Sequence, residues 1–280
     1  MLRALACAVF SAALCCGTAL AQGATPLPEI GQASKDSVWV PTPERLIRRM
    51  LQMADTTKDD VVIDLGAGDG RMPIYAAKHF GARGIAIELE ENLVRIAREA
   101  ARREGVADRV QVIRQDLFEA DLSSATVFAL YISPGVMERL KPRFLALQPG
   151  TRIVSHQIAL GDWEPDEKIE VEGRKGYLWV VPAPAEGMWR VSVADEDFDL
   201  NLQRRYQKLE GHGERAGKRS PLLGARLRGT EIRFNAFDRD GTSRTFVGRV
   251  EGDRMAGSSH DGAGARVLSW SAVRIRGQRS

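Results

Sequence analysis

The sequence Val61-Val62-Ile63-Asp64-Leu65-Gly66-Ala67-Gly68-Asp69-Gly70-Arg71 predicts the architecture of this 280-residue chain. Its first three residues form a short, uninterrupted β-branched run, which is typical of a buried central strand in a parallel sheet. The glycines allow the backbone to approach a ligand and to turn sharply, and a helical pattern begins near Arg71. Strand, glycine loop and helix are the first half of a βαβ unit, whose helix N-terminus offers unpaired N–H groups to a ligand.

The spacing of these glycines distinguishes two kinds of ligand. A dinucleotide-binding loop has the pattern G-x-G-x-x-G and places a pyrophosphate at the helix N-terminus. Here the glycines occupy positions 66, 68 and 70, so the third comes one residue early, and Asp64 ends the strand. This D-x-G-x-G-x-G pattern resembles motif I of the class I S-adenosylmethionine (SAM) methyltransferases, whose loop wraps the amino-acid end of the cofactor. A structural glycine turn and an NAD site are the alternatives. The resemblance implies cofactor contacts from Asp64, Gly66, Ala67, Gly68 and Gly70.

The next two predicted strands, residues 84–88 and 110–114, also lead to acidic side chains. Glu88 ends the first of them, where a carboxylate can accept hydrogen bonds from both ribose hydroxyls; an exposed strand end is the alternative. Asp116 follows the second. In the class I family an Asp at this place accepts a hydrogen bond from the adenine amino group, and the neighbouring apolar residue, here Leu117, packs on the ring. The alternative for Asp116 is an Asx turn.

A predicted lid precedes the first strand. Residues 39–42 lead into a helix whose apolar residues recur at helical spacing, with Thr42 as the predicted N-cap and Pro43 at the first helical position. Upstream loops fold over the cofactor in many SAM methyltransferases, so the resemblance implies that Pro41 and Thr42 contact it. A capped helix that only covers the sheet is the alternative.

The part of the site that is predicted to face the methyl acceptor lies after the fourth strand, residues 125–132. Ligands of open α/β sheets bind at the carboxyl ends of the strands, so Tyr131, Ser133 and Pro134 are predicted to face the methyl group. Trp163 follows the fifth strand, residues 152–158, and either walls the substrate channel or covers the edge of the sheet. His156 is predicted to be an ordinary strand residue. Methyl transfer from a sulfonium requires no dedicated general base, so no catalytic residue is assigned.

A narrower resemblance comes from four short motifs. Val40-Pro41-Thr42-Pro43, the glycine loop, Glu88-Leu89 and Trp163-Glu164-Pro165-Asp166 occur in this order. They resemble the seven-strand protein-lysine methyltransferases related to the mitochondrial enzymes for adenine nucleotide translocase and ATP synthase c subunit. The resemblance covers residues 38–182 and implies a doubly wound, Rossmann-like sheet, SAM as cofactor and a protein nitrogen such as lysine as methyl acceptor. A small-molecule methyltransferase and a non-catalytic exported binding protein with the same fold are the alternatives.

The remainder of the chain has a different pattern. Residues 183–188 have the composition of a linker, and residues 189–276 contain runs that alternate with period two, separated by turn signals such as Asp240-Gly241. A small antiparallel β domain is predicted, serving substrate docking or packing. His212, His260 and Asp261 are predicted to be loop residues and not metal ligands.

Export is predicted from the first 21 residues. Arg3, an apolar run and Ala19-Leu20-Ala21 have the form of a secretory signal peptide, followed by a polar, disordered leader over residues 22–37. An exported, periplasmic protein without a membrane span is expected; an uncleaved N-terminal tether and a misassigned start codon are the alternatives. All 3 cysteines lie in this segment, which excludes a cysteine nucleophile from the mature chain. The net charge of +3 is too small to indicate a nucleic-acid partner.

Overall fold

The computed structural model describes residues 40–262 and 266–275. The predicted signal peptide, the leader and Trp39 lie outside this range, so export and its alternatives stay predictions. Within the described residues, no helix is both long enough and apolar enough to cross a membrane.

The first half of the described chain is a seven-stranded sheet with helices on both faces. Its sheet order is β3-β2-β1-β4-β5-β7-β6, in which β7 is antiparallel to both of its neighbours and the first five strands are parallel. The elements in chain order are α1 Glu44–Met53, β1 Val61–Leu65, α2 Arg71–Phe80, β2 Arg83–Glu88, α3 Glu91–Arg103, β3 Val110–Arg114, β4 Val127–Leu130, α4 Pro134–Leu145, β5 Arg152–His156, β6 Glu167–Val171 and β7 Arg174–Val180. The predicted doubly wound fold is confirmed.

The centre of this sheet determines where a ligand binds. Strands β1 and β4 are buried along their whole length, because helices cover both faces and their apolar side chains pack into separate clusters above and below. The chain runs outward from β1 to β3 and then returns to β4 on the other side. Such a reversal opens a crevice at the carboxyl ends of the strands.

The start of α1 differs from the prediction. The N-cap residue is Pro43, which has no side-chain cap, while the carbonyl oxygen of Pro43 accepts hydrogen bonds from the backbone N–H groups of Leu46 and Ile47. Thr42 does not cap the helix, because its hydroxyl lies 3.0 Å from Nδ1 of His156 instead. The prediction of a Thr42 cap is therefore wrong.

The second half of the described chain is a nine-stranded antiparallel sheet. Pairing between its strands β9 and β10 closes eight of the nine into a small barrel, and β11 pairs only with β10. The predicted antiparallel β domain is confirmed. Its strands are β8 Gly187–Val193, β9 Glu196–Arg205, β10 Lys208–Arg215, β11 Lys218–Pro221, β12 Leu223–Arg228, β13 Glu231–Phe237, β14 Ser243–Glu251, β15 Arg254–Asp261 and β16 Val267–Arg274.

Aromatic side chains fill the barrel. Phe234 stacks on Phe246 with ring centroids 4.8 Å apart, and the ring of Trp270 meets both edge-on. His212 lies in β10, and His260 and Asp261 lie in β15, so the prediction that these three are loop residues is wrong. Among the described residues, no group of His, Cys, Asp and Glu side chains could hold a metal ion.

The segment between the two sheets is packed. Ala183 and Ala185 are buried, and the backbone N–H of Ala183 donates to the carbonyl of Gly229 at 2.8 Å. The indole N–H of Trp189 donates to the carbonyl of Ala185 at 2.9 Å, and Arg274 donates to the carbonyl of Pro184 at 2.6 Å. This differs from the linker that composition predicts, because the small residues Ala183 and Ala185 join the apolar core of the barrel.

The barrel contacts the first sheet through the loop that follows β5. Trp163 is fully buried there and stacks on Tyr206, with ring centroids 5.6 Å apart and planes 17° from parallel. The carboxylate of Asp162 accepts hydrogen bonds from the hydroxyl of Tyr206 at 2.8 Å and from Arg205 at 2.9 Å. Of the two interpretations of Trp163, covering the edge of the sheet is the one that agrees with the structure.

Candidate functional site

A pocket opens at the carboxyl ends of β1, β2 and β4. The glycine loop forms one wall, the segment before α1 forms a second, and the residues after β3 and β4 form the others. Most of the predicted cofactor residues line it: Pro41, Thr42, Asp64, Gly66, Ala67, Gly68, Glu88, Asp116 and Leu117. As cofactor contacts these residues stay predictions. None of the described residues of β8–β16 lines the pocket.

The conformation of the glycine loop explains two of its glycines. Gly66 has φ +74°, and the N–H groups of Gly66 and Ala67 both donate to the carbonyl of Ile87 at 2.9 Å, which fixes the loop to β2. Gly70 also has φ +74°, but it does not line the pocket. A Cβ at Gly70 would lie 3.0 Å from the Cβ of Ala97, so this glycine allows close packing of the loop against α3. As a cofactor contact, Gly70 stays a prediction, although it lies outside the lining of the pocket.

Glu88 connects the second strand to the glycine loop. One carboxylate oxygen accepts the N–H of Gly68 at 2.7 Å, and the other accepts those of Leu89 and Glu90 at 2.8 and 3.0 Å. Burial raises the pKa of Glu88, while these three backbone donors oppose the shift. A carboxylate has about four acceptor positions, so about one remains for a ligand hydroxyl. Accepting two ribose hydroxyls requires Glu88 to release at least one backbone donor.

Asp64 is a buried carboxylate with an unused acceptor. The residue is 2% exposed, and its Oδ1 atom has no hydrogen-bond partner among the described residues. Burial raises the pKa of Asp64 well above its ordinary value, and the charges of Glu88 and Asp69 raise it further. An unpaired buried carboxylate is costly unless a cationic donor comes to it. The pocket therefore offers a site for the ammonium group of a ligand.

Asp116 has a local role in the structure. Its Oδ1 atom accepts the backbone N–H of Phe118 at 2.9 Å, which is the Asx turn weighed above as the alternative. The residue is half-buried and lines the pocket beside Leu117. A contact with adenine stays a prediction.

The segment before α1 is held at Thr42 from two directions. A guanidinium N–H of Arg71 donates to the carbonyl of Thr42 at 3.3 Å, and the hydroxyl of Thr42 bonds to His156. The imidazole of His156 also lies against the ring of Tyr131, with centroids 3.9 Å apart. Burial, with the charge of Arg174 adding to it, lowers the pKa of His156 to about 4, so the ring is neutral at physiological pH.

Sequence reasoning missed this position of His156. The register that pairs Leu130 with Ser155 brings the next residues, Tyr131 and His156, side by side, and this register is a property of the folded sheet. Arg71 was also missed as a lining residue. It belongs to the quoted motif, but its contact with Thr42 depends on a segment 29 residues earlier in the chain.

Three predicted substrate residues do not line the pocket. The hydroxyl of Ser133 accepts the backbone N–H of Val136 and caps α4, and Pro134 is the first residue of that helix. Trp163 is buried against Tyr206, away from the pocket. Tyr131 is the one of the four that lines it. Ser133 and Pro134 were predicted to face the ligand because they follow β4, whereas they form the start of α4.

Comparisons with known proteins agree with this geometry. Residues 64–167 match the model of the ANTKMT methyltransferase domain. A protein-lysine N-methyltransferase of Saccharolobus islandicus is 40% identical over 149 residues, which are 51% of this chain and 92% of that protein. The chain belongs to the class I SAM-dependent methyltransferases, in the family of the ANTKMT domain.

Two further methyltransferases are similar to this chain. An adenine nucleotide translocase lysine N-methyltransferase of Mus musculus is 35% identical, covering 37% of this chain and 46% of the mouse protein. A solved structure described as an RNA methyltransferase of Salinibacter ruber with S-adenosyl-L-homocysteine is 47% identical, with a TM-score of 0.51, covering 52% of this chain and 98% of that one. Half of this methyltransferase aligns with almost the whole of the Saccharolobus protein and of the Salinibacter chain.

The residues of this methyltransferase fit SAM. The orphaned carboxylate of Asp64 suits the α-ammonium group of the cofactor, and the remaining acceptor position of Glu88 suits a ribose hydroxyl. The glycine loop leaves no side chain at Gly66, where a Cβ would lie 3.3 Å from Ile132. Leu117 supplies an apolar surface for a ring.

Proposed function

We propose that this methyltransferase transfers a methyl group to a lysine amine of a protein. The observation that carries the proposal is the 40% identity to a protein-lysine N-methyltransferase that the chain spans over 92% of its length. The match to the ANTKMT domain and the mouse lysine N-methyltransferase support it.

The pocket suits such an acceptor. When bound, SAM supplies a methyl group that its sulfonium already makes electrophilic. Tyr131 and the segment that ends at Thr42 border the same opening, where they exclude water and align an incoming nucleophile. Desolvation beside an aromatic wall favours the neutral form of an amine, which is the nucleophilic form. His156, being neutral, adds no positive charge beside a cationic acceptor.

A small-molecule acceptor is less well supported. In that case the barrel should shape the pocket, but its described strands contribute no lining residue. RNA is the second candidate, because the Salinibacter protein, at 47% identity, is described as an RNA methyltransferase.

The acceptor class can be measured directly. The purified protein would be incubated with methyl-labelled SAM and an extract of the source organism, either untreated, amine-acetylated or treated with ribonuclease. We expect label in protein that survives ribonuclease, disappears after acetylation and is recovered as methyllysine on hydrolysis. Glu88→Ala serves as the control for transfer that depends on the cofactor site. Label that ribonuclease removes, or that appears only in the small-molecule filtrate, would contradict the lysine proposal.

A further inference from the structure

His156 is a polar residue in a position where an apolar one would cost less. It is fully buried at the end of β5, and its Nε2 atom has no hydrogen-bond partner in the part of the chain that the structure describes. An unsatisfied buried polar atom is destabilising, and a phenyl ring would fill the same space without that cost. The contacts made by Nδ1 and by the face of the ring account for the presence of a histidine.

Those contacts join two walls of the cofactor pocket. Nδ1 lies 3.0 Å from the hydroxyl of Thr42, in the segment before α1, and the ring lies 3.9 Å from that of Tyr131, at the end of β4. Thr42 and Tyr131 both line the pocket, whereas His156 does not. The imidazole is therefore placed behind the pocket, in contact with both walls.

The segment before α1 is attached at both sides of the pocket. Residues 40–42, which we call the lid, line it together, and Thr42 is only 2% exposed. Arg71, at the start of α2, holds the carbonyl of Thr42, and His156, at the end of β5, holds its hydroxyl. If the second contact is lost, the contact that remains at Thr42 among the described residues is the one with Arg71, on the side of the glycine loop.

We propose that His156 is a positioning residue that holds the lid at Thr42 and the ring of Tyr131 in a fixed relation over bound SAM. A lid held in this way slows release of the cofactor and keeps water from the methyl group. The contact of His156 with Tyr131 also fixes the tyrosine ring relative to the direction from which the nucleophile attacks the methyl group. The inference rests on SAM binding and not on the identity of the acceptor.

The test compares two apolar replacements, alone and together. His156→Phe keeps a ring against Tyr131 but leaves the hydroxyl of Thr42 unpaired, and Thr42→Val removes that hydroxyl while keeping its shape. Each should weaken SAM binding about fivefold, the factor that one neutral hydrogen bond commonly contributes, mainly through faster dissociation. The measurements are calorimetric affinity, the dissociation rate of SAM and the thermal midpoint without cofactor.

The double variant separates positioning from packing. Replacing both partners of a hydrogen bond with apolar groups is nearly neutral for stability, so the thermal midpoint of the double variant should lie above that of His156→Phe, in which the hydroxyl of Thr42 is unpaired. Its affinity for SAM should stay about fivefold low, because the lid is still unattached on the side of β5. Recovery of affinity together with stability would overturn the proposal and leave His156 a packing residue.

Conservative variants and a matched control complete the design. Thr42→Ser keeps the hydroxyl, and His156→Asn places an amide near the position of Nδ1. Both variants should therefore keep most of the wild-type affinity for SAM. His79 also lies over a tyrosine, with centroids 4.1 Å from Tyr75, but on the exposed surface of α2. His79→Phe should leave SAM affinity unchanged. Wild-type affinity and dissociation rate in Thr42→Val would also overturn the proposal.

Discussion

The two sheets of this methyltransferase bury their apolar side chains in different ways, and the pocket that contains the predicted cofactor residues lies at the strand ends of the first. The seven-stranded sheet is covered on both faces but open at the carboxyl ends of its parallel strands, where the buried carboxylate of Asp64 has an unused acceptor. The barrel closes on itself around stacked aromatic rings. An open sheet that reverses at its centre provides a crevice, whereas a small closed sheet is filled by its own side chains.

The largest expected effect concerns stability of the barrel without any effect on the site. Phe234→Ala removes a fully buried ring and should lower the free energy of unfolding by about 3–5 kcal/mol. Denaturant unfolding measures this, and the affinity of the folded protein for SAM should stay at the wild-type value.

A variant in the first sheet, matched to Phe234→Ala, tests whether the two sheets differ in their effect on SAM binding. Phe128 is equally buried in β4, next to Phe144, and β4 leads directly to Tyr131. Phe128→Ala should cost a similar amount of stability and also weaken SAM binding. Equal loss of affinity in both variants would show that the barrel takes part in the cofactor site.

A smaller effect is expected at Asp64, with opposite signs for stability and binding. Without cofactor, the folded state binds a proton at Asp64 more tightly than the unfolded state, because its pKa is raised. Its contribution to stability is therefore greatest below the ordinary pKa of 3.8 and is lost as pH rises through the raised value. Asparagine does not ionise, so Asp64→Asn avoids the decrease in stability that ionisation of Asp64 causes. The thermal midpoint of the cofactor-free variant should therefore exceed that of wild type at neutral pH.

The same variant should bind SAM less well. A charge-assisted hydrogen bond is lost, which corresponds to a decrease in affinity on the order of tenfold. Thermal unfolding from pH 4 to 9 gives the stability difference, and Asp116→Asn, at a half-buried carboxylate, is the control. A cofactor-free Asp64→Asn protein that is less stable than wild type at neutral pH would contradict the argument that the buried, unpaired carboxylate of Asp64 destabilises the fold.

Sequence patterns predicted the elements whose signals are local. The β-branched run of β1, the glycine positions and the helical spacing of α1 each depend on a few neighbouring residues, and all appear in the structure. Contacts between distant segments were not predictable. The pairing of Thr42 with His156 spans 114 residues, and the stacking of Trp163 on Tyr206 depends on how the barrel docks.

Some strands of the barrel have only a weak local signal in the sequence. The sequence of β10, Lys-Leu-Glu-Gly-His-Gly-Glu-Arg, contains one large apolar residue, so its period-two pattern is weak. It is recognisable as a strand through its pairing with β9, β11 and β12. Closure of the sheet, and not local propensity, determines its conformation.

The central claim is that SAM binds at the carboxyl ends of the parallel strands of the seven-stranded sheet, through Asp64 and Glu88. Calorimetric titration with SAM of the wild type, Glu88→Ala and Glu88→Gln tests it most directly. We predict one SAM per wild-type chain and a loss of tenfold or more in Glu88→Ala, since each charge-assisted bond is worth about 1.5–3 kcal/mol and the carboxylate also holds Gly68 in the loop. Glu88→Gln, which keeps one acceptor oxygen, should lie between the two. The same affinity for SAM in all three proteins would contradict the account.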